Sequence, residues 1–354
     1  MNVCFAAHPA LPRSEGPQAE EGTRADLVSA EPVPKPSEPV PKPSEPAPSQ
    51  IYGVRHEDGY WVKADPGYQK GKFLEEEFRA ANITTLAAIV ENAATKLGNK
   101  PCMGVRQGLA KICPGVSRRV AIFAETRAEW FMSAMGCLRQ GLTIVTVFPN
   151  LSVEEIVASL CETEVNVLIV SHATLKTTAE VISKCSAIKH VIVLEDQLEG
   201  VGIVPEVLKN VSVIPFHEVV ATGKGLNASL RQPTAEDVAI ILYTSGSMSL
   251  PKGTELTHAN VIATVIGYAY QSDLRPDDRY LAFLPLAHVL EFCCEIALVS
   301  LNLLIMYGSP MTLTNNSPKV MQGTLGDVQV ARPTYINAVP LILDRIVRGV
   351  TEKV

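Results

Sequence analysis

Scarce charge and an absence of basic clusters set the first limits on this chain of 354 residues. Only 19% of the residues are charged, the formal net charge is -6, and no run of Lys and Arg appears. Phosphate backbones are held chiefly by clustered cations, so the composition argues against a nucleic-acid binder. Eight cysteines stand at 4, 102, 113, 137, 161, 185, 293 and 294, without a Cys-x-x-Cys pair and without Cys/His spacing that suits zinc. Reduced thiols in a cytosol-facing protein are the expectation. The opening residues, MNVCFAAHPALPRSEG, have neither a basic start nor a long apolar stretch, so no secretory signal is read there. The most apolar region, 281–307, is broken by His288, Glu291, Glu295 and Asn302, each expensive in a bilayer core. A spanning helix is therefore not expected, and peripheral membrane docking stays open.

Apolar material is plentiful. At 47% hydrophobic residues the chain can build a core of ordinary globular size. Residues 31–50 are different: EPVPKPSEPVPKPSEPAPSQ repeats every seven residues, and proline fixes extended backbone while removing amide donors. Residues 1–50 are read as a disordered tail, either a solvated spacer or a docking segment for a proline-reading module. Residues 51–81 form a lead-in with several aromatics.

From Asn82 onward, short β-branched runs alternate with stretches of helical spacing. The runs are 120–124, 143–147, 165–170, 191–194, 211–214 and 238–243; helical periodicity covers 127–140 and 153–161. Alternation of this kind predicts an α/β fold, with a largely parallel sheet flanked by helices. Ligand sites in such sheets lie in loops at the carboxyl ends of strands.

One loop stands out under that rule. After the apolar run Val238–Tyr243 comes Thr244-Ser-Gly-Ser-Met-Ser-Leu-Pro-Lys-Gly253, then Thr257-His-Ala-Asn260 and a helical pattern. Glycine admits an anion close to backbone amides, hydroxyls add donors, and Lys252 supplies a compact positive charge. The loop is a candidate polyphosphate cradle; a polar loop that merely caps a helix is the alternative. It is not a Walker A loop, because Pro251 precedes the lysine and Gly253 follows it.

This loop resembles the signature of the adenylate-forming superfamily, Ser/Thr-Ser-Gly-Ser/Thr-Thr-Gly-x-Pro-Lys-Gly, and the nearby LTHAN (256–260) fits the same pattern. The segments AIFAETRAEWF (121–131), LPLAHVLE (284–291) and RPTYINAVP (332–340) are similar to stretches of long-chain fatty acyl-CoA synthetases, in the same order. The resemblance runs over 82–354 and implies part of the large N-terminal AMP-binding domain of such an enzyme. It further implies that Thr244, Ser245, Gly246, Ser247, Lys252 and Gly253 contact nucleotide phosphates, with Lys252 and His288 as the catalytic candidates. His288 would lie near the mouth of the acyl and pantetheine tunnels with Glu291 on the same face, or else be a helix-start histidine satisfied by backbone. Arg127 and Glu129 are read as orienting a helix against the sheet; Arg332 is left between an acyl-pocket and a strand-end role.

The implied reaction joins a long-chain fatty acid to CoA through an acyl-adenylate, with ATP, Mg2+ and CoA as the small molecules. A cytoplasmic place is implied as well, with the cytosolic face of the endoplasmic reticulum or another organelle membrane as a peripheral site. Met248 and Ser249 depart from the pattern, removing a hydroxyl donor and a backbone-permissive glycine. A non-Gly residue at positive φ would cost about 1–2 kcal/mol, and one lost donor to developing charge lowers a rate by roughly 10²–10³. The family's Tyr-Gly-x-Thr-Glu segment, ribose-binding aspartate and lysine-bearing lid do not occur in 254–354, and no protein ligand for a metal is assigned. Little or no ligase activity is expected of this chain alone; a non-catalytic nucleotide- or acyl-binding or interaction role is the alternative.

Overall fold

The computed structural model describes residues 54–55, 61–62, 66–97, 117–196, 208, 210–224, 233–244, 251–272, 274–275, 277–340 and 342–344. The proline-rich repeat lies outside them. Two short strands, β1 (Val54–Arg55) and β2 (Trp61–Val62), pair antiparallel as a unit of their own.

The second unit begins with α1 (Pro66–Ala80) and α2 (Leu86–Leu97). Then strand and helix alternate: β3 (Arg119–Phe123), α3 (Ala128–Arg139), β4 (Thr143–Thr146), α4 (Val153–Glu162), β5 (Val167–Ser171), α5 (Leu175–Lys184), β6 (His190–Leu194), β7 (Ser212–Pro215) and α6 (Phe216–Lys224). A hairpin comes next, β8 (Val238–Thr244) and β9 (Lys252–Thr257), leading into α7 (His258–Gln271). Last come β10 (Arg279–Ala282), α8 (Val289–Ser300), β11 (Leu304–Tyr307) and α9 (Asp327–Ala331).

Seven strands make one sheet in the order β7-β6-β5-β3-β4-β8-β9, parallel throughout except for the antiparallel edge strand β9. Parallel strands are covered on both faces, and side chains alternate between them. Val120, Ile122, Val167, Ile169, Ile192, Ile240 and Leu242 face one core with α1, α2, α3, α7 and α8. Ala121, Phe123, Leu168, Val170, Val191, Val193, Ile241 and Tyr243 face a second with α4 and α5. The fold is α/β, and all six anticipated β-branched runs are strands of this sheet. β10 and β11 pair parallel in a small sheet of their own.

Local chemistry sets the helix ends. Ser152 and Glu155 form a reciprocal capping box at α4, and Thr257 and Asn260 form another at α7. α3 stops at Gly141, whose φ is 64°; the amides of Gly141 and Leu142 return to the carbonyls of Leu138 and Cys137 at 3.1 and 3.0 Å. α1 belongs to the first core by packing: Leu74 and Phe78, one turn apart, are buried, and Tyr270 donates to Glu75 at 2.6 Å.

Candidate functional site

The loop picked out from the sequence bridges β8 and β9. Of its residues, 245–250 lie outside the described positions, so the expectations for Ser245, Gly246, Ser247, Met248 and Ser249 do too, and Thr244 is described through its backbone alone. β8 runs parallel to β4, with Thr146 opposite Leu242, so the loop leaves the sheet at the carboxyl end of a parallel strand. Lys252, rather than sitting within the loop, is the first residue of β9. It pairs with Thr244 across the ladder, and its side chain is exposed at the hairpin mouth.

Gly253 is next to it, opposite Tyr243. A Cβ there would meet the Tyr243 ring at 3.1 Å and Ile241 at 3.2 Å. The ring cannot easily give way. Its hydroxyl donates to Glu162 at 2.6 Å and to the Ser159 carbonyl at 3.3 Å, and the side chain is buried. Burial, then the Glu162 carboxylate, hold that phenol above its ordinary pKa. Gly253 therefore fixes the approach of β9 to β8, which in turn sets where Lys252 emerges.

Three further loops converge at the same end of the sheet. The segment after β3, Glu125-Thr126-Arg127, is a clamp. Glu125 accepts from Ser171 at the end of β5 (2.5 Å), and Arg127 donates to the Glu195 carbonyl just beyond β6 (2.8 Å) and to Glu129 (2.8 Å). Thr126 donates to the Leu284 carbonyl at 2.5 Å and accepts the Leu286 amide at 2.9 Å. It thereby ties the turn before α8 to the main sheet. Arg127 also occupies the N-cap position of α3 without a side-chain cap bond, and Trp130 of that helix is fully buried. After β4, Phe148 meets the ring of His288 edge to face at 6.5 Å.

His288 is the N-cap of α8. Its Nδ1 accepts the Leu290 amide at 3.1 Å, and the side chain is exposed. When the imidazole is neutral, that bond places its proton on Nε2. Glu291 parts from it. Rather than sharing a face at a tunnel mouth, Glu291 is fully buried and both its oxygens accept from the Tyr280 hydroxyl, at 2.9 and 2.8 Å. Burial raises the Glu291 pKa to about 7. One turn on, Glu295 is buried too, accepts from Tyr307 at 2.7 Å, and is raised by burial and then by Glu291. Two acids four residues apart inside an apolar helix were the sequence signal for this pair.

Two other motif residues have structural places. His258 accepts the Leu86 amide on Nδ1 at 3.1 Å, docking α2 onto α7; burial lowers its pKa. Arg332 closes α9 in a left-handed conformation (φ 45°, ψ 58°), exposed. Two clefts lie beside the sheet. One of about 400 Å³ is lined by Arg119, Glu162, Tyr243, Gly253 and Glu255, under the hairpin. The other, about 430 Å³, opens at the amino ends of β3, β4 and β8, away from the loop. Among the described residues no three His, Cys, Asp or Glu side chains converge to hold a metal.

The model of the AMP-binding enzyme family matches residues 107–353. This chain is a member of that family. It is 41% identical over 251 residues to long chain acyl-CoA synthetase 8 of Arabidopsis thaliana, covering 70% of this chain and 35% of that protein. With long-chain-fatty-acid–CoA ligase 3 of Saccharomyces cerevisiae it shares 30% identity over 269 residues, 70% of this chain and 38% of the relative. The chain thus spans about a third of the length of these relatives. Its fold is similar to part of the adenylation and carrier didomain of a carboxylic acid reductase from Segniliparus rugosus, solved with AMP: TM-score 0.64, 19% identity, 82% of this chain and 47% of that one. Among the described residues no helix is long and apolar enough to cross a membrane.

Proposed function

We propose that this chain carries the nucleotide-phosphate side of a long-chain fatty acid–CoA ligase. The observation that supports the reading is the hairpin: a hydroxyl- and glycine-rich loop at the carboxyl end of β8, with the exposed Lys252 held at its mouth by the Gly253–Tyr243 contact. In the overall reaction the carboxylate of a fatty acid attacks the α-phosphorus of ATP, pyrophosphate leaves, and the acyl-adenylate then passes its acyl group to the CoA thiol with release of AMP. Attack of an anion on a polyanion needs fixed positive charge and oriented amides to offset repulsion. Lys252 supplies the positive charge to the phosphates.

His288 stands at the same sheet end through Phe148, with its Nε2 directed away from the backbone bond, as a polar group for the acyl or thioester side. Mg2+ would accompany the nucleotide; the described residues do not build a protein site for it. A long-chain fatty acid as substrate rests on the names of the relatives; a cytosolic setting with peripheral association to the endoplasmic reticulum or another organelle membrane rests on the motif resemblance alone. A second reading, binding without turnover, is favoured by Met248 and Ser249 at positions where the family pattern has Thr and Gly.

Equilibrium binding of labelled ATP to the purified chain tests the proposal. Saturable binding is expected, weakened about 10- to 100-fold in Lys252→Ala, the loss of one hydrogen bond to a charged group. Absence of saturable binding, or a Lys252→Ala variant that binds as tightly, overturns it. Acyl-CoA formation that depends on ATP and CoA separates a ligase from the binding-only reading.

A further inference from the structure

The two Sγ atoms of Cys161 and Cys185 lie 3.5 Å apart, although the residues are 24 positions apart in sequence. Cys161 is exposed in the last turn of α4, and Cys185 caps α5 with its side chain buried in the second core. Among the described residues Cys137, Cys293 and Cys294 are buried as well, so this pair alone couples a reachable sulfur to a protected one.

We infer that Cys161 and Cys185 form a reversible disulfide that ties the C-terminal turn of α4 to the end of α5, with Cys161 as the attacking thiol and Cys185 as the resolving thiol. The oxidant is of the low-molecular-weight disulfide class. The Cys161 thiolate attacks one sulfur of the small disulfide, forming a mixed disulfide and releasing one small thiolate. Cys185 then loses its proton to solvent and attacks Cys161 Sγ, forming the protein disulfide and releasing the second small thiolate. Both leaving thiolates are protonated; the protein loses two electrons and two protons, and the small disulfide becomes two thiols.

The geometry suits this sequence. The sulfurs need to close from contact to bond distance, roughly 2.05 Å, with no strand of the sheet between them. Burial, then the neighbouring Cys161, hold the Cys185 thiol above its ordinary pKa, while the amides of Ala187 and Ile188 donate to its sulfur and pull the other way. Those amides offer a local partner for the negative charge that develops as Cys185 attacks. Glu162, which anchors Tyr243, is adjacent to Cys161, so the bond would close directly beside the turn that supports the hairpin.

The test is to equilibrate the full purified chain in buffers of graded glutathione and glutathione disulfide, block free thiols, digest, and map linkages by mass spectrometry. A peptide pair joined through Cys161 and Cys185 is expected, lost on treatment with dithiothreitol, and the oxidised chain should melt several degrees higher because the ring constrains the unfolded state. Cys185→Ala should trap glutathione on Cys161. Cys161→Ser, a change at an exposed position that the fold tolerates, should abolish both the link and any conjugate on Cys185. A Cys161 that is conjugated but never linked, a Cys161 that does not react, or linkage of Cys161 to a different cysteine overturns the inference.

Discussion

Gly253 faces Tyr243 across the β8–β9 ladder so closely that a Cβ would stand 3.1 Å from the ring Cζ and 3.3 Å from the hydroxyl. The hydrogen bonds from that hydroxyl to Glu162 and the Ser159 carbonyl deny the ring room to retreat. Gly253→Ala should therefore lift β9 from β8 and destabilise the chain by about 1–3 kcal/mol, the usual cost of overpacking. Urea denaturation followed by circular dichroism measures it, and an unchanged midpoint would mean the ring can shift after all.

Thr126 is the only described link through which the segment after β3 both donates to and accepts from the turn preceding α8. Thr126→Val keeps the shape and removes both bonds, leaving the Leu284 carbonyl and the Leu286 amide without their partner. A loss of about 1–3 kcal/mol is expected, whereas Thr126→Ser should recover most of it. Equal stability of the Val and Ser variants would show that the hydroxyl carries none of the docking.

Much of this architecture can be read from the residues alone, and the failures have identifiable causes. The inner parallel strands announce themselves because burial on both faces demands continuous β-branched runs: the run 120–124 became Arg119–Phe123, and 191–194 became His190–Leu194. β9 is invisible to the same test. Lys-Gly-Thr-Glu-Leu-Thr is mostly exposed, and pairing with β8 rather than an apolar face makes it a strand. The candidate lysine could be found from its motif, but its position in a ladder could not. Spacing put Glu291 beside His288; three residues apart on a helix fixes a face only once the helix is regular, and His288 is the cap, not the first turn.

His288 accepts the Leu290 amide, so its removal should cost what the loss of an N-cap ordinarily does, about 0.5–2 kcal/mol for His288→Ala. Asparagine is a strong capping residue, so His288→Asn should keep the thermal midpoint near that of the wild type. If instead both variants fall equally, the imidazole stabilises through Phe148 rather than through its cap. The Asn variant also separates fold from chemistry, since any loss in acyl transfer that it shows would not come from a weakened helix.

Glu291 and Glu295 give the chain a pH dependence opposite in sign to ordinary carboxylates. Burial raises Glu291 from 4.5 to about 7, and Glu295 moves in the same direction. A raised folded-state pKa means the native state holds protons that the unfolded chain releases. The pair's contribution is therefore fully present below about pH 4.5, where both states are protonated, and is lost as pH rises through about 7. Glu291→Gln mimics the protonated acid and its amide oxygen can still accept from Tyr280. The variant should match the wild type near pH 5 and exceed it at pH 8 by on the order of a few kcal/mol, since a tenfold difference in proton affinity between folded and unfolded states corresponds to about 1.4 kcal/mol. Urea midpoints at pH 5, 6, 7 and 8 for both proteins provide the comparison. A difference that stays flat with pH would place the carboxyl in a wetter setting than its complete burial implies, and one that grows toward acid would reverse the sign altogether.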